Sequence, residues 1–342
     1  MSLPDLRWTP YEPEKLNWKE VPRGRIVATE AVASRACDSR CVITIGAFDG
    51  LHMGHRTLVA AACEDARAQG LPCVAVMFDP DPAEVLRPES VRGARLLGCE
   101  DRAAGLIELG VSAVVLLAFD EAMAQTEPSA FVHDVLLPNL HPASIHVGED
   151  FRFGCRGRGD VRLLAELGVE FGFRVHGHEL VRSGSDFVSA TRVRRLLEDG
   201  LLDEANELLC RCHYVSGTVE HGRGEGTGFG FPTANVRCAP IECMPAEGVY
   251  ACFVVCGSRA WPAAANVGAP PTFGGGGEAF LEANLIGFSG DLYGEEVSVV
   301  FVRWLRASRK FDSLEELERV VLGNIAWVRE NLGSSELEVT RD

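Results

Sequence analysis

The first half of the chain alternates short, almost continuous apolar runs with stretches whose apolar residues have helical spacing. The runs are CVITIG (41–46), CVAVMF (73–78), SAVVLLAF (112–119) and SIHVG (144–148). Short runs rich in β-branched residues are typical of strands buried on both faces. The alternation therefore predicts a parallel α/β sheet, whose right-handed crossovers bring ligands to the carboxyl ends of the strands.

The segments between these runs carry helical patterns. After His55, leucine and alanine recur at helical spacing as far as Ala66, which predicts an amphipathic helix. Two further helices are predicted over residues 99–109 and 127–137. Residues 1–38 are polar, contain proline and show no clear pattern, so they form an N-terminal extension for which no element is predicted.

The pattern of apolar residues changes near residue 200, and we place the domain boundary near residue 205. Two short helical segments, 190–198 and 202–209, precede strand-like pieces that glycine-rich turns separate. The pieces are YVSGTV, PTANV, VYACFVV, AAANVG, FLEANL and VSVVFVRWL. Short strands at this spacing predict a small antiparallel barrel or sandwich. We therefore expect two domains, 39–205 and 206–342.

The chain closes with a predicted amphipathic helix. Ser313 and Glu316 have the spacing of a capping box. Its apolar residues form one stripe, which consists of Leu314, Leu317, Val321, Ile325 and Val328. We expect this helix to pack on the barrel.

Composition limits the partners and the compartment. The 342 residues include 33 Lys and Arg against 49 Asp and Glu, a net charge of −16, so we expect neither nucleic acid nor a membrane as a partner. The 12 cysteines are scattered without a paired metal motif, which indicates reduced thiols in the cytoplasm. No signal peptide or membrane-spanning run is evident. The sequence is compatible with an oligomer but does not predict one.

Two histidines stand at the junction between the first buried strand and the following helix. In ITIGAFDGLHMGH (43–55), His52 and His55 lie three residues apart among three glycines. A helix N-terminus offers free N–H groups and a positive dipole end to phosphate. Two imidazoles there would stabilise the charge that grows on the α-phosphate of ATP as pyrophosphate leaves. The alternatives are a helix cap beside a surface histidine, and a metal site, for which no third ligand stands nearby.

Several motifs resemble those of a known family and occur in the same order along the chain. GAFDGLHMGH resembles the GxFDGxHxGH signature of the FAD synthetase branch of the HxGH nucleotidyltransferases, and VGEDFRFGCRGRGD (147–160) and SATRVRRLLEDGLLDEANELL (189–209) resemble its later segments. GFGFPTANV (228–236) resembles the PTAN motif of riboflavin kinases, and GVYACFV, NVGAPPTFGG, LEANL and GDLYGEEV follow it. Ordered motifs across two domains are specific. The chain therefore resembles the bacterial bifunctional riboflavin kinase/FAD synthetases.

For the first domain, the resemblance implies a Rossmann-like nucleotidyltransferase fold that makes FAD from FMN and ATP. His52 and His55 would be catalytic and would bind the ATP phosphates. The other residues implied at the ATP site are Gly46, Phe48, Asp49, Gly50, Gly54, Ser189, Thr191, Arg192 and Arg194. Asp150 and Phe151 would position the nucleotide or the flavin. For the 189–194 segment the alternative is helix capping, with its arginines on a solvated face.

For the second domain, a β-barrel with a C-terminal helix, the resemblance implies riboflavin kinase activity, in which riboflavin and ATP give FMN. Glu282 would be the general base that accepts the proton of the ribityl hydroxyl. Gly230 would contact ATP, and Thr233 and Asn235 would hold phosphate and Mg²⁺ through oxygens of the kind that magnesium prefers. The alternatives are a solvent-facing position for Glu282 and a flexible hairpin for residues 221–230.

Some positions depart from the pattern of this family. Asp81 takes the place of a histidine, and a carboxylate near phosphates is repulsive unless Mg²⁺ or an arginine intervenes. Ala190 lacks a serine hydroxyl, and Asn284 stands where histidine is common. The implied catalytic groups are intact, so we expect both activities.

Two other functions stay open at this point. One is a flavin- or nucleotide-binding regulator with degenerate catalysis, which the intact Glu282 and PTAN motif argue against. The other is a nucleotidyltransferase for a different acceptor, such as a pantetheine or nicotinate nucleotide. The kinase-like domain argues against it, because the product of that domain would be the substrate of the FAD synthetase.

Overall fold

The chain folds into two compact units. The structure, a computed structural model, describes residues 7–21, 24–28, 40–90, 95–221, 233–268, 280–309 and 311–339. Within these ranges, residues 11–90 and 97–189 form one unit, which we call the α/β unit. Residues 7–10, 95–96 and 190–339 form the other, which we call the barrel unit.

The α/β unit is built on a sheet that has seven strands among its described residues, in the order β1-β2-β5-β4-β3-β6-β7. The strands are β1 (Lys19–Val21), β2 (Gly24–Ala28), β3 (Cys41–Ile45), β4 (Cys73–Asp79), β5 (Ala113–Ala118), β6 (Pro142–Gly148) and β7 (Arg174–His178). β3 to β7 pair in parallel, which confirms the predicted parallel sheet. β1 and β2, from the N-terminal extension, add an unpredicted antiparallel edge beside β5.

Helices cover this sheet. They are α1 (Met53–Gln69), α2 (Pro82–Leu86), α3 (Cys99–Glu108), α4 (Glu121–Ala124), α5 (Pro128–Ala130), α6 (Leu137–Leu140) and α7 (Val161–Phe171). A π-helical turn joins α5 to α6, and a two-stranded ribbon of β8 (Arg182–Ser183) and β9 (Asp186–Phe187) follows α7. α1 packs on β3 and β6 because its apolar face, with Val59 and Ala62 fully buried, is turned to the sheet.

The order of the strands in the sheet indicates where a ligand-binding crevice lies. From β3 the chain moves outward through β4 and β5, whereas β6 returns to the other side of β3. Such a reversal opens a crevice at the carboxyl ends of the two strands that flank it. The residues after Ile45 of β3 and Gly148 of β6 therefore lie where a ligand would bind.

The barrel unit is antiparallel. Its strands are β10 (His213–Glu220), β11 (Ala234–Cys238), β12 (Gly248–Cys256), β13 (Arg259–Gly268), β14 (Phe280–Leu285), β15 (Glu296–Arg306) and β16 (Leu337–Glu338). The ladder order is β12-β15-β10-β11-β14-β13, and a pairing of β12 with β13 closes it into a barrel. Side chains alternate, so that Leu281 and Ala283 are buried whereas Glu282 and Asn284 are half-buried on the other face.

The described part of this unit also contains three α-helices, α8 (Ala190–Glu198), α9 (Leu202–Leu209) and α10 (Leu314–Asn331). The predicted cap of α10 is confirmed, since the side chain of Ser313 accepts a hydrogen bond from the backbone N–H of Glu316. Burial along the predicted stripe is uneven, because Leu314 at its start is 64% exposed. Only the later part of the stripe, with Ile325 and Val328, is buried.

Candidate active sites

His52 and His55 form a stacked pair at the start of α1. A short turn after β3 leads to His52, which caps the helix: its Nδ1 accepts the backbone N–H of His55 at 3.4 Å. The ring centroids lie 3.7 Å apart with an interplanar angle of 16°. Because Nδ1 of His52 is the acceptor, the proton of the neutral ring sits on Nε2. Capping and ligand binding are therefore compatible roles for this histidine.

The backbone before the pair is tightly bent. Phe48 has a left-handed φ of 52° and Gly50 a φ of 78°, a region that favours glycine. The ring of Phe48 is fully buried and meets His55 edge-on at 5.4 Å. At Gly54, a Cβ would lie 3.2 Å from Cε1 of His52. The absence of a side chain at residue 54 therefore permits the imidazole stack.

The surroundings of His55 disfavour its protonated form. Burial, the imidazole of His52 and the guanidinium of Arg102 hold the pKa of His55 well below its usual value. Its Nδ1 is buried and has no hydrogen-bonding partner among the described residues. A buried polar atom without a partner is costly, and a bound phosphate oxygen would satisfy it.

Arg102 is a site residue that the sequence analysis missed. It lies on α3, is 3% exposed, and donates from one terminal nitrogen to the carbonyl oxygen of Ala47 at 2.6 Å. The same nitrogen lies 3.4 Å from Oδ2 of Asp81, whose other oxygen caps α2 by accepting from Ala83. An arginine therefore does intervene beside the carboxylate that departs from the family pattern. An arginine on the buried face of a predicted helix was the available signal.

Asp49 has a structural contact in the α/β unit. Its carboxylate is 8% exposed, and Oδ1 accepts the backbone N–H of Leu97 at 3.2 Å. This bond joins the turn before α1 to the segment that enters α3. The contact of Asp49 with ATP stays a prediction.

Residues after β6 form the other side of the crevice. Phe151 closes a turn by donating its N–H to the carbonyl oxygen of Gly148 at 3.0 Å, and its ring stacks on Phe153 with a centroid distance of 5.6 Å. Asp150 lies exposed in this turn. Phe153 belongs to the buried core, whereas the half-buried ring of Phe151 lies next to the exposed Asp150.

The structure divides the 189–194 segment between the units. Ser189 belongs to the α/β unit, whereas Thr191, Arg192 and Arg194 lie on α8 in the barrel unit. α8 buries Val193 between the two arginines. The contact of these four polar residues with ATP stays a prediction.

In the barrel unit, polar side chains form a row across neighbouring strands. Glu282 of β14 is the register partner of Asn235 on β11 and of Asn266 on β13. Direct partners share a face, with Cβ atoms about 5 Å apart. Oγ of Ser308 donates to Oδ1 of Asn266 at 3.3 Å. The structure therefore brings the predicted base and one predicted Mg²⁺ ligand together on the half-buried outer face.

The other kinase residues lie close in sequence to this row. Thr233 immediately precedes β11 and is half-buried, and Asn284 lies two residues after Glu282 on the same face. Gly230 falls in 222–232, outside the described residues.

Two family models match the chain, one in each half. The model for FAD synthetase matches residues 34–192, and the model for riboflavin kinase matches residues 209–332. The chain is 37% identical over 289 residues to the bifunctional riboflavin kinase/FMN adenylyltransferase of Pseudomonas fluorescens, covering 84% of this chain and 92% of that protein. The chain belongs to the bifunctional riboflavin kinase/FMN adenylyltransferase family.

Other relatives agree with this family. The bifunctional riboflavin kinase/FMN adenylyltransferase of Escherichia coli K12 is 36% identical over 301 residues, covering 88% of this chain and 95% of that protein. A crystal structure described as a macrolide-efflux protein from Streptococcus pneumoniae is 31% identical, with a TM-score of 0.77, and covers 85% of this chain and 94% of that one. Within the part of the chain that the structure describes, no helix is long and apolar enough to cross a membrane.

The predicted function is thereby confirmed. The bifunctional enzyme phosphorylates riboflavin to FMN with ATP and adenylylates FMN to FAD. The comparisons give no support to a regulator or to a different nucleotide acceptor.

Proposed function

We propose that each activity has its own site: FMN adenylylation at His52 and His55, and riboflavin phosphorylation at Glu282. We assign the activities to the functional domains 39–205 and 206–342. The observation that supports the first site best is the buried Nδ1 of His55, which has no partner among the described residues and lies at a helix start beside the stacked ring of His52. The FAD synthetase and riboflavin kinase matches fall in the corresponding halves.

In the adenylylation, an oxygen of the FMN phosphate attacks the α-phosphorus of ATP. The new P–O bond forms as the bond from this phosphorus to the α,β-bridging oxygen breaks, and pyrophosphate leaves. His52 and His55 donate hydrogen bonds to the phosphate oxygens on which charge grows, and the N–H groups at the start of α1 add to this field. Arg102 offsets the charge of Asp81, so that the triphosphate meets no uncompensated carboxylate.

The remaining residues would position the substrates. Ser189, Thr191, Arg192 and Arg194 suit the β- and γ-phosphates as hydroxyl and guanidinium donors. The Phe151 ring suits the apolar face of the isoalloxazine, with Asp150 beside it at the crevice edge.

In the phosphorylation, the ribityl hydroxyl oxygen attacks the γ-phosphorus of ATP and ADP leaves. Glu282 accepts the hydroxyl proton as the new P–O bond forms. Asn235 and Asn266 are the cross-strand neighbours of Glu282, so their amide groups share its face of the barrel and would lie beside the reacting groups.

The oxygens of Thr233 and Asn235 fit a magnesium ion. Mg²⁺ prefers hard oxygen ligands and binds through few protein groups together with substrate phosphates. Both residues stand at the start of β11, next to the proposed base. When bound, the ion would neutralise charge between the β- and γ-phosphates, and Gly230 would contact ATP nearby.

We place the enzyme in the cytoplasm, with riboflavin, FMN and ATP as its partners. The cysteines that the structure describes are free thiols, which is typical of a reducing compartment.

One assay tests the allocation of sites. The protein is incubated with riboflavin, ATP and MgCl₂, and the flavins are separated chromatographically; we expect FMN and then FAD. His52→Ala should abolish FAD while FMN still forms. Glu282→Gln should stop FMN formation from riboflavin but still convert added FMN to FAD.

A matched histidine variant controls for indirect effects. His133 is an exposed histidine on the π-helical turn, so His133→Ala should leave both products unchanged. The allocation is wrong if folded His52→Ala makes no FMN from riboflavin, or if folded Glu282→Gln does not convert added FMN to FAD; folding is checked by circular dichroism.

A further inference from the structure

A cluster of histidines lies on the α/β sheet away from the His52–His55 pair. His146 of β6 and His176 of β7 are register partners, and their rings stack with centroids 4.6 Å apart. Asp65 of α1 faces them, with Oδ2 3.1 Å from Nε2 of His146. Asp65 follows His55 by ten residues on one helix, which separates the cluster from the pair by about 15 Å.

The cluster has the composition and spacing of a metal site. One ligand atom from each of Asp65, His146 and His176 lies within 4.8 Å of the other two. His146 is 3% exposed. Nε2 of His176 is buried and has no hydrogen-bonding partner among the described residues. A metal ion would recover the free energy that this nitrogen loses on leaving water.

Further groups orient these three side chains. Ser144 Oγ and Gln69 Nε2 donate to Oδ2 of Asp65 at 2.5 and 2.8 Å. Nε2 of His178 lies 3.0 Å from Nδ1 of His146. Such outer hydrogen bonds fix the rotamer and tautomer of ligands in metal sites. A metal on Nε2 of His146 would leave its Nδ1–H to donate to His178.

We propose that Asp65, His146 and His176 bind a divalent transition-metal ion of the zinc class, supported by His178. Imidazole and carboxylate ligands suit Zn²⁺, whereas Mg²⁺ prefers oxygen ligands alone. Three protein ligands leave a fourth position for water. The ion joins α1 to β6 and to β7, the edge strand of the sheet, and so stabilises the α/β unit.

Metal binding by the full chain tests this proposal. Chelator-treated protein is titrated with Co²⁺, and bound metal is followed by visible d–d absorption and elemental analysis. His176→Gln is the decisive variant, because it removes one ligand and leaves the bonds among Asp65, His146 and Ser144 in place. We expect this variant to lose one equivalent of Co²⁺ relative to the wild-type chain.

A second measurement uses thermal stability. Zn²⁺ at ten times its Kd should raise the unfolding midpoint of the wild-type chain by about 3–5 °C, and excess Mg²⁺ should not replace it. The midpoint of His176→Gln should not respond. His178→Gln should retain binding with about ten- to a hundredfold weaker affinity.

A matched control has a histidine beside a carboxylate but no third ligand. Nδ1 of His133 lies 2.6 Å from Asp134 on the exposed surface, so His133→Gln should bind metal as the wild-type chain does. The proposal is overturned if folded His176→Gln binds as much Co²⁺ as the wild-type chain. It is also overturned if the bound Co²⁺ shows a thiolate charge-transfer band, because cysteines would then hold the ion.

Discussion

At the scale of single residues, the imidazole stack depends on the missing side chain at Gly54. A methyl group there would lie 3.2–3.3 Å from two atoms of the His52 ring and would push the ring from its place. We expect Gly54→Ala to lower the rate of FAD formation from FMN and ATP about five- to tenfold, because the contact is relieved by a shift well below the 1 Å that costs about a hundredfold. FMN formation from riboflavin should be unchanged.

The control for this variant is another helical glycine. At Gly323 of α10 an added Cβ meets nothing within 4 Å. Gly323→Ala should therefore leave FAD formation at the wild-type rate. Equal rates for Gly54→Ala and Gly323→Ala would show that the stack is irrelevant to adenylylation.

A second residue-scale prediction concerns the contact between Arg102 and Asp81. Arg102→Gln leaves the carboxylate facing the proposed triphosphate site, where like charges repel. We expect the KM for ATP in FAD formation to rise about tenfold, which corresponds to about 1.4 kcal/mol. The double variant Arg102→Gln/Asp81→Asn should regain most of the loss, because it removes both charges.

Folding must be measured beside these kinetics. Arg102 also donates to the carbonyl oxygen of Ala47, so both variants should unfold at a lower temperature than the wild-type chain. If the double variant has the same KM for ATP as Arg102→Gln, the loss comes from the Ala47 bond and the charge argument is refuted.

Some of the proposed site residues could be predicted from the sequence, whereas their contacts could not. His52, His55 and Glu282 stand out because they interrupt apolar patterns or repeat within a motif. The partnership of Asp81 with Arg102 depends on how α3 packs near the turn after β3, which local spacing does not specify. The His146–His176 stack likewise exists only because β6 and β7 pair in one register.

At the scale of elements, long apolar runs predicted their strands well, and the misses have physical causes. β1 and β2 were not predicted because they are short and carry charged residues. They are stabilised by pairing with each other and with β5, which the local sequence pattern does not reveal. In α10 the spacing of apolar residues correctly predicts which face of the helix packs on the barrel. It does not predict how much of the helix length the barrel covers. Leu314 therefore lies exposed.

The junction of α9 with β10 gives an element-scale prediction. His213 is fully buried at the start of β10, and its Nε2 lies 2.7 Å from the carbonyl oxygen of Cys243. Burial, and then the charge of Arg211, lower its pKa to about 3. The unfolded chain therefore binds this proton more readily, so the stability contribution is complete above about pH 6.5 and declines as the pH falls towards 3.

The measurement compares unfolding of the barrel unit at pH 7.5 and pH 5.0 by denaturant titration. Protonation of His213 in the unfolded state should cost about 2 kcal/mol at pH 5.0. His213→Gln will be less stable than the wild-type chain at both pH values, but its free energy of unfolding should not show this additional loss between pH 7.5 and pH 5.0. An equal pH dependence in both proteins would show that His213 is not responsible.

At the scale of the whole molecule, two patterns in one chain predicted two folding units, but the boundary depends on tertiary contacts. α8 and α9 are amphipathic and fit either neighbour. The backbone N–H of Ala246 donates to Leu197 at 2.9 Å, and Asn206 donates to the carbonyl oxygen of Phe301 at 3.2 Å. These bonds join both helices to the barrel, and the compact units divide after Ser189; the functional boundary at residue 205 stays a prediction.

The two proposed sites lead to a prediction of how the intermediate FMN moves between them. If FMN leaves the kinase site for solvent before it is adenylylated, two defective chains should complement each other. We expect a mixture of His52→Ala and Glu282→Gln to make FAD from riboflavin after a lag, although neither variant does so alone. The rate should rise with the concentration of Glu282→Gln, because that chain must capture FMN from solution. A mixture that makes no FAD, while Glu282→Gln still converts added FMN, would mean that FMN is handed on only within one chain.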